Sequence, residues 1–135
     1  MTDPDLFLSD IPKDVLLYLK DKLTLHPIGK IGLGLDWECV SPESRYYSHL
    51  QSYEKPRWAN STVKDNVYFG VGIDTTFALY DKSVKQHFTG GASVGRPYVA
   101  KHIPWQFTVD ERNTNDEFMY YLNHANGSCS YKRFI

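Results

Sequence analysis

Residues 30–35 read KIGLGL, a short stretch in which apolar side chains alternate with lysine or glycine. A β-strand sends successive side chains to opposite faces of its sheet, so this period of two predicts a strand. Glycine weakens a strand interior and usually marks a place where something must come close. The stretch therefore predicts a strand that another backbone or a ligand approaches closely at Gly32 and Gly34.

Apolar periodicity predicts helices and further strands on both sides of this stretch. One helix is expected over residues 13–23, where leucines recur on one face after a capping Asp10 and a first-turn Pro12. Two more helices are expected over residues 41–56 and 114–122. Extended segments are expected at residues 67–71 and 73–80. A polar loop is expected at residues 60–66 and a Gly-rich connection at 89–95. Residues 98–102 fit a strand or a short helix. The predicted fold class is α+β, a mixed, mainly antiparallel sheet with about three flanking helices.

Length and composition limit the classes of function. The 135 residues fit one domain, and 15 Lys+Arg against 16 Asp+Glu give a net charge of -1, which makes nucleic acid an unfavourable partner. The two cysteines, Cys39 and Cys129, lack the spacing of a zinc cluster or a disulfide framework. No apolar run approaches the ~18 residues of a membrane helix, and no signal peptide is recognisable, so we expect a cytoplasmic protein without a membrane span.

The acidic pair Asp3-Pro4-Asp5 is a candidate metal site. In an extended segment, two carboxylates one residue apart leave the backbone on the same side. Mg²⁺ and Mn²⁺ prefer such paired oxygen ligands, especially when the cation also binds a diphosphate. The alternative is a solvated terminal turn, which the spacing by itself favours because short acidic pairs are common.

Asp74 and Thr75 lie in residues 73–80, IDTTFALY, beside a dense apolar run. Aspartate is disfavoured inside strands, so its presence there needs a reason. A carboxylate in a cleft could take a proton from an attacking hydroxyl. Equally, Asp74 could cap backbone N–H groups in a turn that follows two glycines. The residues leave both interpretations open.

Residues 101–105, KHIPW, join a cation, an imidazole and an indole on a segment stiffened by proline. His102 is a candidate metal or phosphate ligand, and Trp105 is a candidate apolar wall for a sugar ring. Burial of both in the core is the commoner arrangement. Arg96 follows the Gly-rich stretch and is a candidate charge clamp for phosphate, although that stretch matches neither the P-loop nor the dinucleotide fingerprint.

Five segments taken in order resemble the second half of a group of bacterial and viral GT-A-type glycosyltransferase-like proteins. In that group a strand ends in a TDPD-type motif and is followed by a helix, a glycine-bearing strand, an IDTTFALY-like stretch and an ARHLPWY-like stretch. The resemblance covers nearly the whole chain. The segments are TDPDLFLSDIPKDVLLYL (2–19), KIGLGLD (30–36), GIDTTFALY (72–80), PYVAKHIPW (97–105) and EFMYYLNHA (117–125).

The resemblance implies transfer of a sugar from a nucleotide-sugar donor to a hydroxyl of a carbohydrate acceptor. Asp3 and Asp5 would be the DxD motif that coordinates Mn²⁺ or Mg²⁺ on the donor diphosphate, and His102 would complete that metal site. Asp74 would be the catalytic carboxylate on the acceptor side. The residues expected at the substrate are Thr75, Arg96, Tyr98 and Trp105.

In GT-A proteins a Rossmann-like half that binds the nucleotide precedes the acidic motif. Residues 1–135 are therefore expected to form a partial GT-A-like domain without that half. Three explanations are open: a fragment of a longer gene, a split transferase completed by a complementary N-terminal chain, or a remnant reused for binding. Self-association through uncovered apolar surface is expected. The alternative from another functional class is a noncatalytic carbohydrate- or protein-binding module on the same scaffold.

Overall fold

The computed structural model describes residues 5–73, 77–83, 91–108 and 116–124. They form an α+β arrangement, as predicted. The strands are β1 (Leu6–Phe7), β2 (Lys30–Leu35), β3 (Thr62–Lys64), β4 (Val67–Phe69), β5 (Ala78–Tyr80) and β6 (Ala92–His102). The helices are α1 (Val15–Leu25), α2 (Tyr47–His49), α3 (Lys55–Ala59), α4 (Ile103–Gln106) and α5 (Asp116–His124). None of the helices in these segments has the length and apolar character to cross a membrane.

The six strands form one sheet in the order β3-β4-β6-β2-β5, and β1 also pairs with β6. The β2–β6 pair is parallel, whereas β1–β6, β4–β6, β3–β4 and β2–β5 are antiparallel. The prediction of a mixed, mainly antiparallel sheet is therefore confirmed. The long strand β6 pairs with β4 near its start, with β2 at residues 92–94 and 99–100, and with β1 at its end.

Strand β2 is the KIGLGL stretch, and it lies in the interior of the sheet. Ile31 and Leu33 are 0% and 1% exposed and share a core cluster with Leu19 of α1. A Cβ at Gly32 would lie 2.8 Å from the carbonyl oxygen of Phe77, and one at Gly34 would lie 2.9 Å from that of Val94. The predicted close approach at both glycines is confirmed.

Strand β6 carries a bulge opposite β2. Leu33 of β2 pairs with Val94, but the next residue, Gly34, pairs with Val99, so residues 95–98 are left outside this ladder. The Arg96–Pro97 peptide bond within the bulge is cis. The prediction of a Gly-rich connection is wrong for residues 92–95, because all four are buried in β6 and residues 92–94 pair with β2 and β4.

Residues 47–59 form one continuous helical segment in which a π-helical turn, Leu50–Glu54, separates α2 from α3. The N–H of Lys55 donates to the carbonyl of Leu50, five residues earlier. Proline lacks an N–H and crowds the preceding turn, so a widened turn just before Pro56 lets the helix continue. The prediction of a helix over residues 41–56 is wrong at both ends, because the helical segment begins at residue 47 and continues past Pro56 to residue 59.

Strands β3 and β4 form a tight hairpin where a polar loop was predicted over residues 60–66. Its two turn residues, Asp65 and Asn66, have φ angles of 53° and 63°. Positive φ at both central positions defines a type I′ turn, which matches the twist of paired strands and tolerates Asp and Asn. The loop prediction is wrong for residues 62–64, because the turn at Asp65-Asn66 lets them pair with β4.

Candidate functional site

Asp5 and His102 are brought together by the pairing of β1 with β6. Leu6 pairs with His102 in the antiparallel register, and the N–H of Ile103 donates to the carbonyl of Asp5 at 2.9 Å. The carboxylate Oδ2 of Asp5 lies 3.2 Å from Nε2 of His102, across 97 positions of sequence. Two residues proposed as metal ligands are therefore neighbours in the fold.

Both side chains of this pair are withdrawn from water. The Asp5 side chain is 16% exposed and that of His102 is 6% exposed. Burial disfavours the charged form of Asp5, but the hydrogen bond and the charge of His102 together hold the pKa of Asp5 below its usual value. The second carboxylate oxygen, Oδ1 of Asp5, is buried without a hydrogen-bond partner in the described part of the chain. A buried carboxylate oxygen without a donor is a place where a ligand can bind.

The pair is compatible with a divalent cation. Two neighbouring ligands of an octahedral ion with bonds near ~2.1 Å lie about 3 Å apart, close to the Asp5–His102 distance. An imidazole ligand favours Mn²⁺ over Mg²⁺, which prefers oxygen alone. No group of three or more His, Cys, Asp or Glu side chains arranged for a metal occurs among residues 5–73, 77–83, 91–108 and 116–124. Further ligands would have to come from elsewhere, and Asp3 lies outside the described residues.

Trp105 and Tyr98, both predicted to contact the substrate, occupy core positions. Trp105 is 9% exposed in a cluster with Val40, Tyr46 and Leu50, and its ring lies edge-on to His102 at 4.8 Å. Tyr98 is 8% exposed and stacks on Tyr18 of α1 at a centroid distance of 3.8 Å. These positions favour packing roles, and substrate contact by either residue stays a prediction.

The hydroxyl of Tyr98 donates to the carboxylate of Asp14 at 3.2 Å. Burial of Tyr98, followed by the hydrogen bond and the negative charge of Asp14, raises the pKa of this phenol. The neutral phenol therefore ties the bulge of β6 to the start of α1.

A pocket of about 470 Å³ opens on the other side of the β6 bulge. Its walls come from the segment after β2, from α3, from the β3–β4 hairpin and from the bulge itself. Three aromatic side chains line it, Trp37, Trp58 and Tyr68. Clefts of this size with aromatic walls and a few polar groups are the usual form of small-molecule sites.

Arg96 leaves the bulge and forms ion pairs at this pocket. Its guanidinium donates to Oδ1 of Asp36, to Oε2 of Glu38 at 2.9 Å and to Sγ of Cys39 at 3.2 Å. The hydrogen bond to Glu38 is the main cause that raises the pKa of Arg96, and Cys39 and Asp36 add to it against partial burial. The predicted substrate-binding role of Arg96 stays a prediction, and its position at a pocket is compatible with that role.

Sequence reasoning did not single out several residues of this pocket. Asp36 could have been found, because it is the first polar residue after the apolar strand β2, and strand ends often carry ligand contacts. Asn66 could also have been found, because Asp65-Asn66 suits a type I′ turn. Trp58 has no local signal, since its position depends on the helical segment 47–59. The predicted residues Asp74 and Thr75 lie outside the described part of the chain.

Comparison of the chain with protein-family models, with curated proteins and with solved structures found no match. The resemblance to GT-A-type glycosyltransferase-like proteins therefore stays a prediction.

Proposed function

We propose that this chain is a GT-A-like glycosyltransferase component that uses Mn²⁺ or Mg²⁺ to transfer a sugar from a nucleotide-sugar donor to a hydroxyl acceptor. The supporting observation is the buried contact between Asp5 and His102, with its unpartnered carboxylate oxygen. Burial of an unpaired polar atom costs about 1–3 kcal/mol, so a cation bound at Oδ1 would remove that cost.

In this proposal the cation is held by Asp5, which directly precedes β1, and by His102 at the end of β6, and the pairing of the two strands sets their separation. The cation, when bound, would stabilise negative charge on the departing diphosphate. Asp3 would add a second carboxylate, and Asp74 would accept the proton of the acceptor hydroxyl. Transfer would further need a nucleotide-binding half.

The test is Mn²⁺ binding, followed by electron paramagnetic resonance as free Mn²⁺ disappears. We expect Asp5→Asn and His102→Gln each to weaken binding at least about tenfold, because each removes a ligand. The matched control is Asp10→Asn, since Asp10 is an exposed carboxylate that pairs with Lys101 at 2.7 Å. Circular dichroism would confirm that each variant is folded.

Wild-type protein that binds no Mn²⁺, or variants at Asp5 and His102 that bind it as tightly as the control, would refute the metal site. The proposed glycosyltransferase function would then lose the observation that supports it. Binding that depends on both residues would justify assays with nucleotide-sugar donors.

A noncatalytic carbohydrate-binding module is the second candidate. The aromatic pocket beside Arg96 supports it, because a binding site there does not need Asp5 or His102. The two candidates differ in metal dependence. Saccharide binding by a protein that binds no Mn²⁺ would favour the module.

A further inference from the structure

Trp58 is held in a defined position at the pocket beside Arg96. A Cβ at Gly34 would lie 2.8 Å from Cζ2 of the indole, so glycine is what lets the ring reach the sheet. The indole Nε1–H donates to Oε2 of Glu54 at 3.3 Å, and the ring of Tyr68 lies 4.7 Å away. Three separate contacts therefore fix the ring before any ligand arrives.

The π-helical turn contributes to this preorganisation. Glu54 ends the turn, is 6% exposed, and accepts a second hydrogen bond from Arg57 at 2.8 Å. A π-helical turn inside an α-helix frequently occurs at functional sites. Here it places a buried carboxylate one helical turn before Trp58, where it can orient the indole.

Asn66 presents a hydrogen-bond acceptor at the same pocket. Its Nδ2 group lies within 3.0 Å of the Tyr18 hydroxyl and within 3.2 and 3.1 Å of the carbonyls of Gly95 and Arg96. These contacts orient the side chain and leave Oδ1 without a partner in the described segments. A Cβ at Gly95, which also lines the pocket, would lie 2.5 Å from this Oδ1 atom. The acceptor is therefore held at the pocket wall.

The charges around the pocket favour a neutral ligand. Asp36 and Glu38 already pair with Arg96, so the guanidinium is not a free anion site. The two carboxylates and the guanidinium together carry one net negative charge. Lys55, which also lines the pocket and has no ion pair among the described residues, balances that charge. A phosphate or carboxylate ligand would meet two carboxylates, whereas a polyhydroxylated ring could use Glu38 and Asn66 as acceptors.

We propose that this pocket binds an uncharged pyranose, with Trp58 as its stacking platform and Asn66 and Glu38 as acceptors for its hydroxyls. Flat aromatic rings present an apolar face to the C–H side of a sugar while polar groups read its hydroxyls. Saccharide binding here does not require the metal. The saccharide site does not rest on the proposed transferase function.

The test uses the whole chain and a panel of neutral disaccharides, lactose, cellobiose and maltose, beside glucuronic acid and glucose 6-phosphate. Binding is followed by tryptophan fluorescence and by two-dimensional NMR of the wild-type protein. We expect at least one neutral disaccharide to bind, with its largest NMR shifts at the Trp58 indole N–H and the Asn66 side-chain amide. The two charged sugars should bind at least about tenfold more weakly.

Two substitutions at Trp58 test the platform. Trp58→Ala should weaken binding of the neutral disaccharide at least about tenfold, and Trp58→Phe should weaken it less because a ring remains. The matched control is Tyr53→Ala, since Tyr53 is an aromatic residue of the same helical segment, is 54% exposed and does not line the pocket. If Trp58→Ala does not fold, Trp58→Phe and the wild-type NMR map still decide.

The proposal is overturned if no neutral disaccharide binds folded wild-type protein, if the NMR shifts lie away from Trp58 and Asn66, or if the charged sugars bind as tightly. Mn²⁺ binding measured on the same samples keeps the two proposals apart. Saccharide binding without Mn²⁺ binding removes the transferase and keeps this site, and the reverse result removes this site alone.

Discussion

Substituting alanine for Gly34 should destabilise the protein through Trp58. Gly34 lies in the interior strand β2, and its φ is not in the left-handed region, so alanine fits its backbone conformation. The new methyl group, however, would lie 2.8 Å from Cζ2 of Trp58 and 2.9 Å from the carbonyl oxygen of Val94. Real Cβ atoms do not approach other atoms so closely, so the indole or the strand must move.

The expected loss follows from two opposing contributions. Forcing a methyl group into a packed site costs about 1–3 kcal/mol. Replacing glycine by alanine restricts the unfolded chain and stabilises the folded state by about 0.4–1 kcal/mol. Their difference runs from about 0 to about 2.6 kcal/mol, and its midpoint predicts that Gly34→Ala lowers the free energy of unfolding by about 1.3 kcal/mol.

Urea denaturation followed by tryptophan fluorescence would measure this loss. The matched control is Gly72→Ala, because a Cβ at Gly72 has no atom within 4 Å and its φ is not in the left-handed region. That variant should be as stable as wild type or slightly more stable. Gly34→Ala should also weaken disaccharide binding, because it displaces the Trp58 indole on which the sugar is proposed to stack.

A double-mutant cycle assigns the cost to its cause. Phenylalanine at Trp58 lacks the outer indole atoms, so Gly34→Ala should cost less in a Trp58→Phe background than in wild type. If Gly34→Ala lowers the free energy of unfolding equally in both backgrounds, the contact with Trp58 is not the cause of the loss. A Gly34→Ala protein as stable as the Gly72→Ala control would refute the packing argument itself.

Two further predictions concern the polar groups that frame the pocket. Glu54→Gln should lower the free energy of unfolding by about 1 kcal/mol, because glutamine keeps an oxygen that accepts from Arg57 and Trp58 but loses the negative charge that pairs with Arg57. In urea denaturation the exposed control Asp10→Asn should be indistinguishable from wild type, and an equal loss in both would contradict the buried role. Asn66→Ala and Asn66→Gly both remove the side-chain hydrogen bonds, but only alanine is strained at a φ of 63°. Asn66→Ala should therefore be less stable than Asn66→Gly by about 1 kcal/mol, and equal stabilities would argue against the left-handed turn.

Local sequence patterns determined several elements because backbone periodicity is a local property. The alternation in residues 30–35 predicts β2, and the recurring leucines near residues 15–23 predict most of α1. The α+β class with a mixed sheet follows from the succession of such patterns. The hairpin at residues 62–69 also has a local signal, since Asp65-Asn66 suits a type I′ turn, although the polar composition of residues 60–66 favours a loop.

Only the tertiary structure decided how distant residues meet. The chain places Asp5 beside His102 across 97 positions, and Arg96 beside Asp36 across 60. Both contacts depend on strand register, the first on the pairing of β1 with β6 and the second on the bulge at residues 95–98. The register of a strand depends on its packing against all its neighbours in the sheet. Those neighbours are distant in sequence, so a short segment cannot specify the register. The pattern of a strand is therefore local, whereas the site that strands build is not.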